Sequence, residues 1–564
     1  MRKYFNLQTN PWLIHALPLV ILLTGIWAKS FPLGNAFYDD PFHHGELVAS
    51  LPFVLMGDMK FFTLHGAMDW VPAWVSQQVW GDENHFLPTR IIHTSLGALA
   101  NLFLYCVVAL LTSQCRQYRA ILLGVSAVFT VYLINVGTRD LFLILSIWLY
   151  FLSEKSSSQG GRSMLEIILG VSLAANLFWS FNRGIAGITG VGLALLVFVV
   201  TGRRYLLSIT SFAISIFLLH WIGVLSFSNY LDNFEFLLKT SSQWSYGYTE
   251  LRPVLLTILV AIPNGWTIYY LGKQLHQEIR VRWEETATLI LLTVLTVLMF
   301  KIGISRADIW HIKITLWMPA LVFLYLRERY AEKLSMPPSG IITISMAVLA
   351  LMAASALMAL LPLIRGVGGG EYWFFLCALV FAIYTMHAGY LKVTGATVLN
   401  TLAFVRFATI LLLINMLAIS SKFYQDGYFW MSQIYAPPTN RSLVSKSIQW
   451  VSDEIVISGS NCVFDLSNNG VINGVTKLPA CTKYIYPVYA NQRYEIDMLH
   501  QLREHLPPVI VFSATYWSFN IDNISMHDRF PALKDYLVKT YPYEKCNFGY
   551  CLRYINQSSE GGST

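Results

Sequence analysis

The feature that most constrains this chain is a succession of apolar runs. They lie at about 11–29, 91–113, 120–136, 140–153, 164–181, 185–201, 206–227, 253–272, 286–304, 312–326, 339–364, 373–391 and 398–420. A helix needs about 20 apolar residues to cross a bilayer. Lipid offers no partner to a backbone N–H or C=O, so runs of this kind cross as helices. Charged residues make up only 13% of the chain, against roughly 25% in soluble domains. The sequence therefore predicts a polytopic α-helical membrane protein of about thirteen spans. The net charge of +7 falls mainly in the gaps between runs, so it points to topology and not to nucleic acid.

The first run follows Arg2 and Lys3 and lacks a small-residue cleavage site, so it reads as a retained span. With a cytoplasmic N-terminus, the inner gaps hold Arg116 and Arg119, Lys155 and Arg162, and Arg203 and Arg204. Further inner gaps hold Lys273, Arg280 and Arg282, then Arg327, Arg329 and Lys333, then Lys392. Every inner gap is basic, as the positive-inside rule requires. An odd number of spans leaves the C-terminal region outside. That region is also where four of the seven cysteines lie. Proximity pairs Cys462 with Cys481 and Cys546 with Cys551, one of the three pairings that four cysteines allow. Disulfides would place the region in an oxidising compartment.

These arguments divide the chain into a membrane domain over 1–420 and an outer domain over 421–564. In the outer domain, 461–466 and 509–513 read as short buried strands and 494–505 as a helix. The expectation is a small α/β fold with a disordered tail at 558–564. The first outer loop, 30–90, is long for a connector. Its stretches 47–56 and 70–80 are too short to span and rich enough in Phe and Trp to lie in the membrane interface.

Titratable residues concentrate on the outer side. Tyr38-Asp39-Asp40-Pro41-Phe42-His43-His44-Gly45-Glu46 follows the first span directly. Sugar transfer with inversion needs a base for the acceptor hydroxyl, and Asp39 is the candidate. Asp40 before Pro41 also has the form of a helix N-cap, so it either caps a helix or orients the base. His43, His44 and Glu46 contact substrate, or join Asp39 and Asp40 around a divalent cation such as Mg, Mn or Ca, with Asp40 and His44 as ligands. No closed metal motif is present. Lys301, Arg306, Asp308, His311 and Lys313 surround an outer turn. Cations there run against the positive-inside rule, and Arg suits a phosphate. Arg306, His311, Lys301 and Arg252 are therefore candidates for a donor phosphate, while Lys313 reads as a snorkelling side chain.

Other outer residues have plainer readings. Arg139 pairs with the adjacent Asp140 or another acid, and Arg183 is a further outer cation. Arg406 lies inside the last span with a partner or as a snorkel. His65, Asp69, Asp82, Glu83 and His85 line the first loop on the acceptor side. Trp244 and Tyr246, with Tyr248, stack on a sugar or form part of an interfacial belt.

An acidic pair just after the first span, interfacial helices in the first outer loop and an outer C-terminal domain together resemble the GT-C superfamily of integral membrane glycosyltransferases. That superfamily includes oligosaccharyltransferase catalytic subunits, protein O-mannosyltransferases, lipid A aminoarabinose transferases and mycobacterial arabinosyltransferases. The resemblance rests on Asp39-Asp40 and on topology over the whole chain. It is closest to the arabinosyltransferase and O-mannosyltransferase patterns. The Trp-Trp-Asp-Tyr-Gly motif of oligosaccharyltransferases is absent, with only Trp244-Ser245-Tyr246-Gly247 near it, which disfavours asparagine glycosylation. The resemblance implies a polyprenyl-phosphate-linked sugar donor, inversion, and a glycan, lipid or protein acceptor. It further implies a bacterial inner membrane with a periplasmic active site, and the chain is expected to act as a monomer. A transporter or flippase of a lipid-linked glycan is the alternative, although such proteins favour midplane polar groups and repeated halves, neither of which this chain displays. A glycan polymerase or ligase shares the chemistry and differs in substrate.

Overall fold

The computed structural model describes residues 45–113, 136–201, 205–240, 251–278, 283–305, 309–330, 435–511 and 526–556, with 15, 19, 22, 23, 26 and 433. The sequence runs at 120–136, 339–364, 373–391 and 398–420, Arg406, and the tail 558–564 lie essentially outside these residues.

The membrane part is built from α1 (Phe86–Leu111), α2 (Leu141–Lys155), α3 (Gln159–Trp179), α4 (Phe181–Val200), α5 (Leu206–Trp221), α7 (Leu251–Glu278), α8 (Trp283–Ile304) and α9 (Trp317–Tyr330), with the amphipathic α6 (Phe227–Thr240) set apart between α5 and α7. Among the described residues, α1, α3, α4 and α8 are long and apolar enough to cross a membrane. The 15 residues of α2 rise only about 22 Å, short of the roughly 30 Å hydrocarbon core. The run at 206–227 does not form one span. Its helix ends at Trp221, and the chain turns through Gly223 (φ 76°) into the amphipathic α6. Thirteen spans are therefore not established.

Helices α3 and α4 form a tight hairpin about Ser180, which is extended (φ −149°, ψ 117°) and ends one helix while starting the next. Small residues let the helices close. A Cβ on Gly184 would lie 2.6 Å from the Leu177 Cα, and one on Gly190 would lie 2.7 Å from Leu295 of α8. Close backbone approach of this sort is how helices associate in lipid, where apolar contact gives no preference for protein over solvent. Inter-helix hydrogen bonds add to it, from Ser146 to Ser172 (2.9 Å) and from Tyr150 to Thr288 (2.8 Å). His15 Nδ1 lies 2.9 Å from the Tyr105 hydroxyl, and Leu22 and Ile26 are buried in the same core, which docks the first run against α1.

The extramembrane part has its own core. It is shared by the first loop, α6 and the C-terminal region, with Phe61, Phe62, Trp70, Trp179, Phe236, Tyr484 and Leu499 all buried in it. The C-terminal region carries α10 (Lys446–Ile457), α11 (Glu495–His505), α12 (Pro531–Thr540) and an antiparallel sheet. Its strands are β1 (Val509–Val511), β2 (Tyr543–Asn547) and β3 (Tyr550–Tyr554), in the order β1-β3-β2. The expected helix at 494–505 is present as α11. The stretch 461–466 is not a ladder strand, and pairs only through single parallel bridges from Val463 to Ala480 and from Asp465 to Val511. Both disulfides form as spacing suggested, Cys462–Cys481 in the core and Cys546–Cys551 directly across β2 and β3.

The first loop is held between the membrane helices and this region. The stretch expected in the interface at 47–56 is packed inside over 47–53, where Leu47, Val48 and Leu51 meet Val471 and Ile472 in a third apolar cluster, while Leu55 and Met56 are exposed. The helix Val71–Trp80 keeps Trp74 and Val79 exposed, as an interfacial helix would. The Phe62 amide donates to the Lys483 carbonyl (2.8 Å), and Asn440 closes the loop's far end. There the Phe86 amide donates to the Asn440 side-chain oxygen (2.9 Å), while Asn440 Nδ2 donates to the Asp82 carbonyl (2.8 Å).

Candidate active site

A charged constellation lies where the first loop crosses the adjoining ends of α2, α3 and α4. Its anchor is the sequence Leu64-His65-Gly66-Ala67-Met68-Asp69. Gly66 takes φ 119°, and a Cβ there would fall 2.8 Å from the Trp179 carbonyl oxygen. Only glycine lets the loop ride this close over the end of α3. The Phe181 amide then donates to the His65 carbonyl (2.8 Å), which pins the loop to the start of α4.

This backbone places Asp69 beneath His65. Asp69 Oδ2 accepts from the amides of Leu64 (3.1 Å) and His65 (2.9 Å), and Oδ1 faces His65 Nδ1 at 2.8 Å. An ionised carboxylate only accepts, so Nδ1 carries the hydrogen and the Nε2 lone pair is left bare. Nε2 has no hydrogen-bond partner among the described residues and is not sealed from solvent. Glu46 Oε2 approaches Nδ1 at 3.7 Å from the other side.

The second half comes from the turn Thr138–Asp140 before α2. Trp179 Nε1 donates to the Thr138 carbonyl (2.8 Å), and the Thr138 hydroxyl donates to the His93 carbonyl (2.7 Å). Asp140 does not pair with its neighbour Arg139. It accepts from Arg183 Nε at 2.7 Å, and both side chains are almost fully buried. Arg139 makes no hydrogen bond among the described residues. Burial draws its guanidinium below the usual pKa, against the opposing fields of Glu46, Asp69 and Asp140, and Arg183 adds to the lowering. Tyr486 reaches the same place from the C-terminal region. Burial, with Glu46 and Asp69 nearby, holds its hydroxyl well above the usual phenol range.

The structure thus brings together Glu46, His65, Asp69, Arg139, Asp140, Arg183 and Tyr486. Asp39, Asp40, His43 and His44 lie outside the described residues, as do Trp244, Tyr246, Tyr248, Arg306 and Asp308; so do the side chains of Arg252 and Lys313. Lys301 is exposed near the C-terminal end of α8, and His311 is partly buried in the next turn. Asp82, Glu83 and His85, expected to face the acceptor, serve instead to latch the C-terminal region. Lys477 pairs with Glu83 (2.5 Å), and His85 is buried beside Asn440. The signal for the constellation was the His-x-x-x-Asp spacing with a glycine between, which the composition of the loop obscured.

Glu46, His65 and Asp69 each offer a ligand atom within 4.8 Å of the others. A divalent cation suits such donors. However, both Asp69 oxygens already accept hydrogen bonds, and Arg139 supplies a positive charge beside Glu46 and Asp69.

No family model and no curated protein matches the chain. Among solved structures it is similar to ArnT from Cupriavidus metallidurans bound to undecaprenyl phosphate, at 12% identity with a TM-score of 0.46. That match spans 98% of this chain and 99% of that one. The apo state of the same protein matches at 11% identity with a TM-score of 0.44, over 98% of each chain.

Proposed function

We propose that this chain is a GT-C-type membrane glycosyltransferase that moves a sugar from a polyprenyl-phosphate-linked donor to an acceptor at the outer face, with inversion. The observation that carries this reading is the constellation at the helix ends beneath the first loop. Acid–base groups share one partly enclosed site there with a guanidinium that has no hydrogen-bond partner among the described residues. Glycosyl transfer needs both parts, a base for the acceptor hydroxyl and a counter-charge for the departing phosphate.

Arg139 is the counter-charge nearest the acid–base groups. Arg306, His311, Lys301 and Arg252 are the further candidates for the donor phosphate. Asp39 and Asp40 precede Gly45 by six and five residues in the chain, and the resemblance assigns the base to this pair. Glu46, His43, His44, Trp244 and Tyr246 are proposed to contact substrate. The membrane helices hold the prenyl chain, and the C-terminal region, roofing the loop, takes part in binding a glycan, lipid or protein acceptor. The setting is a bacterial inner membrane with the site on the periplasmic side, and the chain acts as a monomer.

The test uses purified protein in nanodiscs, incubated with a panel of polyprenyl-phosphate sugars and followed by mass spectrometry. Turnover of one donor, lost in Asp39→Asn or Asp40→Asn, supports the reading and identifies the sugar. Absence of turnover together with absence of undecaprenyl phosphate binding overturns it.

A further inference from the structure

We infer that His65, held by Asp69, is the group that takes the acceptor proton. The inference rests on the glycosyltransferase reading for the reaction and departs from it in assigning the base to an imidazole. Three observations support it. Asp69 is itself immobilised by two backbone amides, so its remaining oxygen has one direction to accept from. The 2.8 Å contact to Nδ1 selects the tautomer with a bare Nε2, which is what a base requires. The loop backbone is held by the Gly66 turn and the Phe181 amide, so the Asp69 contact is left to orient the ring. A histidine that served only packing would be expected to bury or bond its second nitrogen. Here that nitrogen is left accessible within a charged site.

The step balances without any further reagent. The acceptor oxygen attacks the anomeric carbon, and its O–H proton passes to the His65 Nε2 lone pair. The bond from that carbon to the phosphate oxygen breaks, with its electron pair leaving on the phosphate. Nδ1–H stays on Asp69, whose charge stabilises the imidazolium. Asp69 is a positioning residue in this scheme, and His65 is the catalytic one. Asp69 and Glu46 approach the ring itself; Arg139 and Tyr486 act on those two carboxylates, and the Asp140–Arg183 pair acts on Arg139.

The experiment measures donor turnover against pH, across the range of about 5 to 8 in which imidazoles titrate, for wild type, His65→Gln, Asp69→Asn and Asp39→Asn. Undecaprenyl phosphate binding is measured alongside to verify the fold of each variant. His65→Gln is expected to lower kcat by roughly 10²–10⁴-fold with donor binding retained, and to abolish the acid limb of the profile. Asp69→Asn is expected to move that limb to lower pH, because the imidazolium loses its carboxylate. Retention of kcat and of the acid limb in His65→Gln, with turnover lost in Asp39→Asn, assigns the base to Asp39 and overturns the inference. Recovery of His65→Gln by excess Mn²⁺ would make His65 a metal ligand and likewise overturn it. If wild type turns over no donor and does not bind undecaprenyl phosphate, the glycosyltransferase reading fails and the inference falls with it. A second measurement needs no variant. Diethyl pyrocarbonate should modify His65 in wild type, as mapped by mass spectrometry, whereas absence of modification contradicts an accessible Nε2.

Discussion

Gly45 and Gly470 meet backbone to backbone. A Cβ on Gly45 would lie 2.8 Å from the Val471 nitrogen, and one on Gly470 would lie 3.0 Å from the Gly45 carbonyl oxygen and still nearer the Tyr486 hydroxyl. The first loop and the C-terminal region therefore meet through backbone here, one residue before Glu46, with Ala49 Cβ and the Tyr486 hydroxyl packed against the same glycine. Gly470→Val should push the two apart. Overpacking of this kind costs about 1–3 kcal/mol. The expected result is a lower Tm and faster proteolysis within the loop, with the disulfides intact.

Asp140 and Arg183 form a buried pair, and removing one partner strands the other. Asp140→Asn should destabilise the protein by about 3–5 kcal/mol. Replacing both with apolar residues of similar volume should cost much less than the sum of the single changes. Thermal unfolding of the single and double variants in detergent distinguishes these outcomes.

Arg139 behaves differently, because it makes no hydrogen bond among the described residues. Arg139→Gln should leave Tm nearly unchanged and weaken undecaprenyl phosphate binding by about tenfold or more, the scale of one charge-assisted hydrogen bond to a phosphate oxygen. A large fall in Tm with unaltered binding would give it a structural role instead.

His85 links stability to pH. Burial lowers its pKa from the ordinary 6.5 to about 4, with contacts to Asp82 and Asn440 in the latch. Between these values the unfolded chain binds the proton and the folded one does not. The stabilisation is therefore complete above about pH 6.5 and is lost as pH falls toward 4, on the order of 3 kcal/mol in total. The Tm of wild type should fall across this window, and that of His85→Gln should fall less.

Much of the framework could be read from composition and spacing. Apolar runs located α1, α3, α4 and α8 because lipid burial demands length, and the cysteine pairs followed from proximity in one polar region. Helix α6 is amphipathic, burying Phe236 and Leu237 while Phe227, Leu231 and Leu238 stay exposed, although the run of hydropathy before it hid the break at Trp221. The site was harder to read. Arg139 and Asp140 are neighbours in sequence, yet the turn sends their side chains apart, and α4 delivers Arg183 from 43 residues away. Adjacency in a chain says nothing about direction. Likewise 47–56 has the composition of an interfacial helix, and only the docking of Val471 and Ile472 decides that 47–53 is covered by protein and not by lipid.

The latch between Asn440 and the end of the first loop joins positions 354 to 358 residues apart, and Lys477 reaches Glu83 across 394. During synthesis the loop emerges early, with Glu46, His65 and Asp69 already in the chain. Its roof is made last, after every intervening span has been inserted. Completion of the site is therefore a late event in biogenesis. A chain halted before that segment would carry Glu46, His65 and Asp69 without the surface that covers them.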